Sequence, residues 1–264
     1  MRLSFIGSGN MATALAESIL NKGIADVIIM SDKNPERLSV LRKRDGIKVT
    51  TDNLYAVENS DIVFLSVKPQ QIHTVLMEIK TKINNHIVVS IAAGISINYL
   101  QSILGERKII RVMPNIACLV GEMSAGFSLG EFATKSDGVV VKRILDTAGS
   151  SFEVEEERLD IITALSGSAP AFIAYFLDAC ITAGIRNGLS REQAETLSVR
   201  TALGTAKLML EKKLSPKELI EMVASKGGTT EAGLRVFEKE NLNSIVINAI
   251  EKAEQRSKEM RIIK

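Results

Sequence analysis

The sequence is poor in cysteine and histidine, the side chains that build most transition-metal sites. It has two cysteines, two histidines and no tryptophan among 264 residues. Cys118 and Cys180 share no metal-ligand spacing with His73 and His86, so we expect all four to be structural or surface residues. The sequence therefore predicts no metal centre.

Charge of one sign and long hydrophobic runs are also scarce. The 33 basic residues nearly cancel the 31 acidic ones, and no Lys or Arg cluster interleaves with aromatic residues as a nucleic-acid surface requires. The first apolar run stops at Gly7, and we expect no apolar stretch to approach the length of a bilayer span. These features favour a cytoplasmic protein with neither a nucleic-acid nor a membrane partner.

The first part of the chain alternates short β-branched runs with helical patterns. This alternation is typical of βαβ units and a parallel sheet. Strands are expected at residues 2–6, 27–30, 48–50, 62–65, 87–90 and 108–112. Asn34 and Pro35 are expected to open one helix, and Lys68-Pro69-Gln70 another. A Gly-rich, weakly patterned stretch follows through Gly130, then a helix near residues 135–148 and a short run at 151–154.

From Leu159 onward, long segments at helical period replace the strands, at residues 171–188, 191–211, 216–225 and 242–260. Ser190 and Gln193 form a plausible capping box. The segment 171–188 is apolar around much of its circumference, so we expect it to be buried inside its own domain or against a second copy of the chain. The fold class predicted is an α/β domain with a doubly wound, mostly parallel sheet over residues 1–158, followed by an all-helical domain over residues 159–264.

A glycine-rich turn follows the first predicted strand and precedes a helix at residues 13–22. It reads Gly7-Ser-Gly-Asn-Met-Ala12, a G-x-G-x-x-A. In such a turn the first glycine permits the sharp bend, the second admits a pyrophosphate, and the small third residue lets the helix pack on the sheet. The alternative is a tight turn without a ligand. The context favours a dinucleotide site.

The end of the second strand normally decides the choice between NAD and NADP. Asp32 is placed to accept hydrogen bonds from a ribose 2′-hydroxyl, which favours NAD. Ser31, Lys33 and Asn34 could instead surround a 2′-phosphate. The residues alone leave NADH and NADPH open.

Further segments extend this pattern along the whole chain. They are Phe5-Ile-Gly-Ser-Gly-Asn-Met-Ala12, Val67-Lys-Pro-Gln70, Ser90-Ile-Ala-Ala-Gly94, Arg111-Val-Met-Pro-Asn115, Ser166-Gly-Ser-Ala-Pro-Ala-Phe172 and Ser225-Lys-Gly-Gly-Thr-Thr230. In this order they resemble the pyrroline-5-carboxylate reductase family. The resemblance implies a Rossmann domain, a helical domain that interlocks with its twofold mate, and reduction of 1-pyrroline-5-carboxylate to L-proline by NAD(P)H, with a lean to NADPH. It also implies a homodimer, which could assemble further into a decamer, a pentamer of dimers.

The resemblance also implies a substrate site at residues 225–230, where a helix N-terminus binds the substrate carboxylate. The backbone of Gly227, Gly228 and Thr229 is expected to hold the carboxylate, and Thr230, the catalytic residue, to hydrogen-bond the ring nitrogen. The residues alone equally allow a plain break between two helices. The expected substrate-binding residues are Ser225, Gly227, Gly228, Thr229 and Thr230.

The cofactor-binding residues are expected on the glycine-rich turn and after the carboxyl ends of the later strands, where ligands bind to doubly wound sheets. They are Gly7, Ser8, Gly9, Asn10, Met11, Ser31, Asp32, Lys33, Asn53, Val67, Lys68, Pro69, Ala92, Ala93, Gly94 and Asn115. Lys68 and Asn115 could instead be structural.

Two residues depart from the family pattern, and two rival functions remain. Lys226 and Ala169 replace the usual Pro and Gly, which bears on fine specificity more than on the reaction. A β-hydroxyacid dehydrogenase needs a catalytic Lys on the long helix, but no Lys follows Ala171 before Lys207. A reductase of a related imine or hydroxyacid, or a sensor module that binds NAD(P) without turnover, remains the alternative.

Overall fold

Eight strands form one sheet in the N-terminal part of the chain. The structure, a computed structural model, describes residues 1–262 and the side chains of residues 1–260. The strands are β1 (Leu3–Ile6), β2 (Ile28–Ser31), β3 (Ile47–Thr50), β4 (Ile62–Leu65), β5 (Ile87–Ser90), β6 (Lys108–Met113), β7 (Met123–Leu129) and β8 (Gly149–Glu153). Their order across the sheet is β3-β2-β1-β4-β5-β6-β7-β8. Only the β6–β7 pair is antiparallel among the strands described.

Helices cover both faces of this sheet. They are α1 (Asn10–Asn21), α2 (Pro35–Leu41), α3 (Asn53–Glu58), α4 (Ile72–Ile79), α5 (Ile97–Leu104) and α6 (Lys135–Leu145). Alternate residues of a strand point to opposite faces, so Phe5 packs with α1 and α6 in one core cluster and Ile6 packs with α3, α4 and α5 in the other. Both faces of the sheet are therefore shielded from water, which explains why the strands are continuous apolar runs in the sequence.

The structure confirms the predicted fold class, an α/β sheet followed by helices. The predicted helix cap at Asn34 is also confirmed, since its side chain accepts hydrogen bonds from Glu36 N and Arg37 N. No strand was predicted in the weakly patterned Gly-rich stretch that ends at Gly130, but β7 occupies much of it. β7 gave no clear strand pattern because it contains small residues such as Gly126, where a Cβ would lie too close to Ile162 Cδ1.

The C-terminal part of the chain is helical. A short helix α7 (Leu159–Ile162) runs into a π-helical turn (Thr163–Ser168), and the longer helices are α8 (Ala169–Arg186), α9 (Arg191–Lys212), α10 (Pro216–Val223), α11 (Thr229–Lys239) and α12 (Leu242–Ile262). The predicted capping box at the start of α9 is confirmed by reciprocal hydrogen bonds between Ser190 and Gln193.

The chain divides into two compact units. The sheet unit comprises Met1–Gly167 and the chain from Lys252 onward, and the helical unit comprises Ser168–Glu251. The end of α12 is held in the sheet unit by a buried hydrogen bond from Ser257 Oγ to Asp160 Oδ1, 2.8 Å long. The domain boundary between residues 158 and 159 stays a prediction, and residues 263–264 of that predicted domain lie outside the described residues.

The helical unit leaves most of its apolar side chains exposed. Ala194 is the one residue of the helical unit that is buried, whereas Tyr175 is 82% exposed and Ile173 56% exposed. The expectation that the segment 171–188 is buried inside its own domain is therefore wrong for the single chain. A second copy of the chain is the remaining alternative.

One stretch also contradicts the expectation that no apolar segment approaches the length of a bilayer span. Glu156–Arg186 is long and apolar enough to cross a membrane by length and composition, and its most apolar window has a mean hydropathy of 1.4. None of that window is buried in the chain. A helix covered by another protein copy satisfies the same criteria.

Candidate functional site

A cleft of about 780 Å³ lies at the carboxyl ends of β1, β2 and β4. In this sheet the strand order runs outward from β1 to β2 and β3 on one side and from β4 to β5 and β6 on the other. Ligands bind to doubly wound sheets where this order reverses, between β1 and β4. Ten predicted cofactor residues line the cleft, namely Gly7, Ser8, Gly9, Asn10, Ser31, Asp32, Lys33, Asn53, Val67 and Lys68.

The two glycines of the turn serve different purposes. Gly7 has φ +98°, and a Cβ there would lie 2.7 Å from the carbonyl oxygen of Ser66, so the fold itself requires glycine. A Cβ on Gly9 would meet nothing within 4 Å. Glycine at position 9 is thus not required by the protein's own packing, which fits a position that a ligand approaches closely.

The N-terminus of α1 is open towards a ligand. Gly9 is the N-cap, and no side chain caps the helix, so the N–H groups of its first turn are available to an anion. Ser66 lines the same cleft, and its buried hydroxyl has no hydrogen-bond partner in the described part of the chain. Buried hydroxyls are normally paired. These features fit a dinucleotide whose pyrophosphate lies at α1.

Asp32 holds the glycine-rich turn. Its Oδ2 accepts hydrogen bonds from Ser8 N (2.8 Å) and Ser8 Oγ (2.7 Å), its Oδ1 accepts from Asn34 N (2.9 Å), and Arg37 Nη1 lies 3.6 Å away. Burial alone would raise the pKa of Asp32, but the hydrogen bonds from Asn34 and Ser8 and the charge of Arg37 outweigh burial and lower that pKa below its ordinary value. Asp32 is therefore ionised at neutral pH.

A second carboxylate, Glu78 of α4, lines the same end of the cleft. Its Oε2 accepts a hydrogen bond from Asn53 Nδ2 (2.8 Å), and Asn53 Oδ1 accepts one from Ser31 Oγ (2.7 Å). Its Oε1 lies 3.3 Å from Lys33 Nζ. Asn53 is 3% exposed, so its predicted contact with the cofactor stays a prediction while its observed role is to hold Glu78.

Several residues of the cleft were not predicted from the sequence. They are Ile6, Arg37, Ser66, Gln70, Gln71, Thr74, Val75 and Glu78. Ser66 and Arg37 lie close to predicted residues in the sequence and could have been found from their neighbours. Glu78 gave no such signal, because only the packing of α4 brings it to the end of β2.

Six predicted cofactor residues do not line this cleft, and their roles stay predictions. They are Met11, Pro69, Ala92, Ala93, Gly94 and Asn115. Met11 packs against the core, and Pro69 begins a short 3₁₀ turn. Asn115 uses its amide within the sheet unit, since Nδ2 donates to Ser166 O (3.1 Å) and Oδ1 accepts from Ser124 N (3.0 Å).

The predicted substrate segment is the turn between α10 and α11. Gly227 has φ +74°, and its N–H donates to the carboxylate of Glu231. The N–H of Gly228 donates to Ser225 O (2.9 Å), and a Cβ on Gly228 would lie 2.4 Å from Ser225 Oγ. Both glycines therefore shape the turn, and both of their N–H groups have partners, one in the turn and one in the first turn of α11.

The start of α11 keeps further donors open. Thr229 and Thr230 are its first residues, Gly228 is its N-cap, and no side chain caps it. Their N–H groups and the positive end of the helix dipole can therefore bind an anion. Thr230 is half-buried in this first turn.

No group of three or more His, Cys, Asp or Glu residues with metal-binding geometry occurs in the described chain. Cys118 and Cys180 are free thiols. Burial raises the pKa of Cys118 to about 11, so it is protonated at neutral pH and a poor nucleophile.

Known proteins match this chain over nearly its whole length. Residues 156–260 match the family model described as pyrroline-5-carboxylate reductase dimerisation, and residues 2–94 match that of NADP oxidoreductase, coenzyme F420-dependent. The pyrroline-5-carboxylate reductase of Methanosarcina acetivorans is 38% identical, over 98% of this chain and 97% of the relative. The solved structure of a pyrroline-5-carboxylate reductase from Coxiella burnetii has a TM-score of 0.94 at 33% identity, over 98% of this chain and 97% of the other.

A second solved structure has a bound ligand. It is the pyrroline carboxylate reductase of Plasmodium falciparum with NADP bound, with a TM-score of 0.87 at 32% identity, over 99% of this chain and 98% of the other. The matches extend over both the sheet unit and the helical unit. This chain belongs to the pyrroline-5-carboxylate reductase family.

Proposed function

We propose that this protein reduces 1-pyrroline-5-carboxylate to L-proline with NAD(P)H, the last step of proline biosynthesis. The observation that carries the proposal is the match to pyrroline-5-carboxylate reductases over 98% of the chain at 38% identity. The open cleft at α1 supports it independently, because it has the features that a dinucleotide site requires.

The residues of the cleft bind and orient the cofactor. When bound, NAD(P)H supplies the hydride that reduces the C=N carbon. The N–H groups at the start of α1 bind the pyrophosphate, and Gly9 leaves room for it. Asp32 holds the turn in this geometry through its two hydrogen bonds from Ser8.

The start of α11 binds the substrate. We assign its carboxylate to the N–H groups of Thr229 and Thr230, because the N–H groups of Gly227 and Gly228 already have partners. The hydroxyl of Thr230 hydrogen-bonds the ring nitrogen. An imine that arrives protonated needs no strong general acid, so the protein's contribution is orientation and charge stabilisation.

The assembly we propose is a homodimer formed through the helical unit. Its support is the dimerisation family model over residues 156–260 and the exposed apolar side chains of α8. Five dimers could assemble into a decamer. We further propose a cytoplasmic protein without a nucleic-acid or membrane partner.

A pair of assays on the purified protein tests the function. We expect 1-pyrroline-5-carboxylate to cause loss of NAD(P)H absorbance, and proline to cause reduction of NAD(P)+ at high pH. Binding of the dinucleotide without turnover in either direction would support a sensor instead. Turnover of a hydroxyacid but not of proline would place the protein in the rival dehydrogenase class.

A further inference from the structure

Charged side chains surround the end of β2, where the 2′ position of the adenosine ribose lies in doubly wound dinucleotide sites. Asp32 and Glu78 are negative there, and Lys33 and Arg37 are positive. NADH and NADPH differ only by the phosphate at this 2′ position. The arrangement of these four groups therefore decides how well the cleft tolerates a phosphate group with a charge of about −1.5 to −2.

The two carboxylates are held in place. Asp32 has three hydrogen-bond donors at 2.7–2.9 Å, and its side chain is 12% exposed. Glu78 is oriented by Asn53, which is itself fixed by Ser31. Neither negative charge can move away from a bound phosphate without breaking buried or partly buried hydrogen bonds.

Each of the two cations lies beside one of these carboxylates. Lys33 Nζ lies 3.3 Å from Glu78 Oε1 and donates to Thr51 O at 3.4 Å. Arg37 Nη1 lies 3.6 Å from Asp32 Oδ2. A further cation of the cleft, Lys68, follows β4, and β1 separates that strand from β2.

We propose that this cleft prefers NADH to NADPH, and that Glu78 is a specificity-determining residue that disfavours the 2′-phosphate. The proposal rests on the proposed function for the use of a nicotinamide cofactor. Asp32 and Glu78 repel the phosphate, and Glu78 also forms an ion pair with Lys33. A ribose with a free 2′-hydroxyl meets no such repulsion and finds carboxylate acceptors nearby.

Titration of the purified full-length chain with NADH and NADPH, followed by nicotinamide fluorescence, tests the proposal. The parent protein is expected to bind NADH about tenfold more tightly than NADPH, as expected for a nearby like charge in partly exposed surroundings. The difference between the Kd values for NADH and NADPH should become smaller at high salt, because screening weakens the repulsion between the carboxylates and the phosphate.

Glu78→Gln isolates the charge of Glu78. The amide oxygen of Gln can still accept the hydrogen bond from Asn53 Nδ2, so the shape of the cleft is retained while the negative charge is lost. The Kd for NADPH should fall by about five- to tenfold, and the Kd for NADH should change by less than about twofold.

Glu153→Gln is the matched control. Glu153 is 38% exposed against 30% for Glu78, and each forms an ion pair with a lysine. Glu153 does not line the cleft. Its substitution changes the net charge equally and should leave both Kd values unchanged.

Two results would overturn the proposal. One is a parent protein that binds NADPH as tightly as NADH or more tightly, which would mean that Lys33 leaves Glu78 to bind the phosphate. The other is a Glu78→Gln variant whose NADPH to NADH ratio equals that of the parent.

Turnover separates this proposal from the proposed function. A protein that prefers NADH in the titration but does not reduce 1-pyrroline-5-carboxylate would refute the function and support the cofactor preference. A protein that reduces this substrate with a lower KM for NADPH than for NADH would support the function and overturn the preference.

Discussion

The sheet unit and the helical unit bury their apolar residues by different means. In the sheet unit, each face of the sheet is covered by helices of the same chain, so residues such as Phe5 and Phe64 are fully buried. In the helical unit, Ala194 is the one buried residue and the helices expose aromatic and branched side chains. The first unit has a core of its own, whereas the second requires a surface from elsewhere to exclude water.

The largest effect is expected for a substitution in the proposed interface of the helical unit, and it should change the oligomeric state. Ile173→Asp would place a charge in the proposed interface once per copy, at a cost of several kcal/mol for each unpaired buried charge. Light scattering should then show a 28.7 kDa species in place of a dimer or a higher multiple of it.

Val139→Asp provides the control in the sheet unit, since Val139 is also exposed, at 68%. We expect the oligomer to be unchanged in this variant. If Ile173→Asp also left the oligomer unchanged, α8 would not form the interface.

The stability of the sheet unit should depend instead on an ion pair that contains a buried arginine. Arg111 is 3% exposed, and its Nη1 lies 2.9 Å from Glu156 Oε1, which also accepts a hydrogen bond from Ile97 N. Arg111→Met would leave Glu156 without its cation and should lower the free energy of unfolding by about 3 kcal/mol or more. Denaturant unfolding measures this change.

Lys135→Met breaks an exposed ion pair of the same unit, Lys135 with Glu153 at 2.6 Å. Exposed pairs contribute little, so the loss should stay below about 1 kcal/mol. Equal losses in the two variants would contradict the view that the Arg111 pair acts through burial.

In the helical unit, Thr230→Ala should lower kcat by about 100-fold if its hydroxyl stabilises the transition state. Thr230→Ser keeps the hydroxyl and should keep most of the activity. Steady-state kinetics measures both, and fluorescence titration should show unchanged affinity for the cofactor. If Thr230→Ala and Thr230→Ser were both as active as the parent protein, the hydroxyl would have no catalytic role.

In the sheet unit, Gly9→Val should raise the Kd for the dinucleotide by about tenfold or more, because the added side chain projects into the space left for the pyrophosphate. The fold should persist, since a Cβ at Gly9 meets no protein atom within 4 Å. Gly7→Val is the contrasting variant and should fail to fold, because Gly7 has φ +98° and a close contact with Ser66. Circular dichroism and cofactor titration distinguish the two.

The smallest effect is expected for the pH dependence of the free energy of unfolding. The pKa of Asp32 is lowered in the folded protein, so its contribution to stability is present above its unfolded pKa and is lost as pH falls through the folded value, below about pH 4. Asp32→Asn should flatten this part of the stability curve in acid unfolding. An unchanged slope would show that the hydrogen bonds from Ser8 do not favour the ionised form.

Local features were predictable because they depend on a few neighbouring residues. The cap at Asn34 and the capping box of Ser190 and Gln193 are determined by side chains within three positions of the backbone groups that they satisfy. β7 was not predictable in this way. Its Gly126 is selected by contact with Ile162, which lies far from it in the sequence.

Periodicity and motif spacing are properties of the sequence alone, and they were sufficient to predict β1 to β6, the helical C-terminal part, the position of the glycine-rich turn and membership of the family. Which side chains meet at the cleft depends instead on how distant elements pack together. Ser31, Asn53 and Glu78 belong to separate elements, and Asn115 is joined to Ser166 and Ser124. Parallel strands and the helices packed on them bring residues from distant parts of the chain to one edge of the sheet, and hydrogen-bond partners there depend on packing that no local pattern encodes.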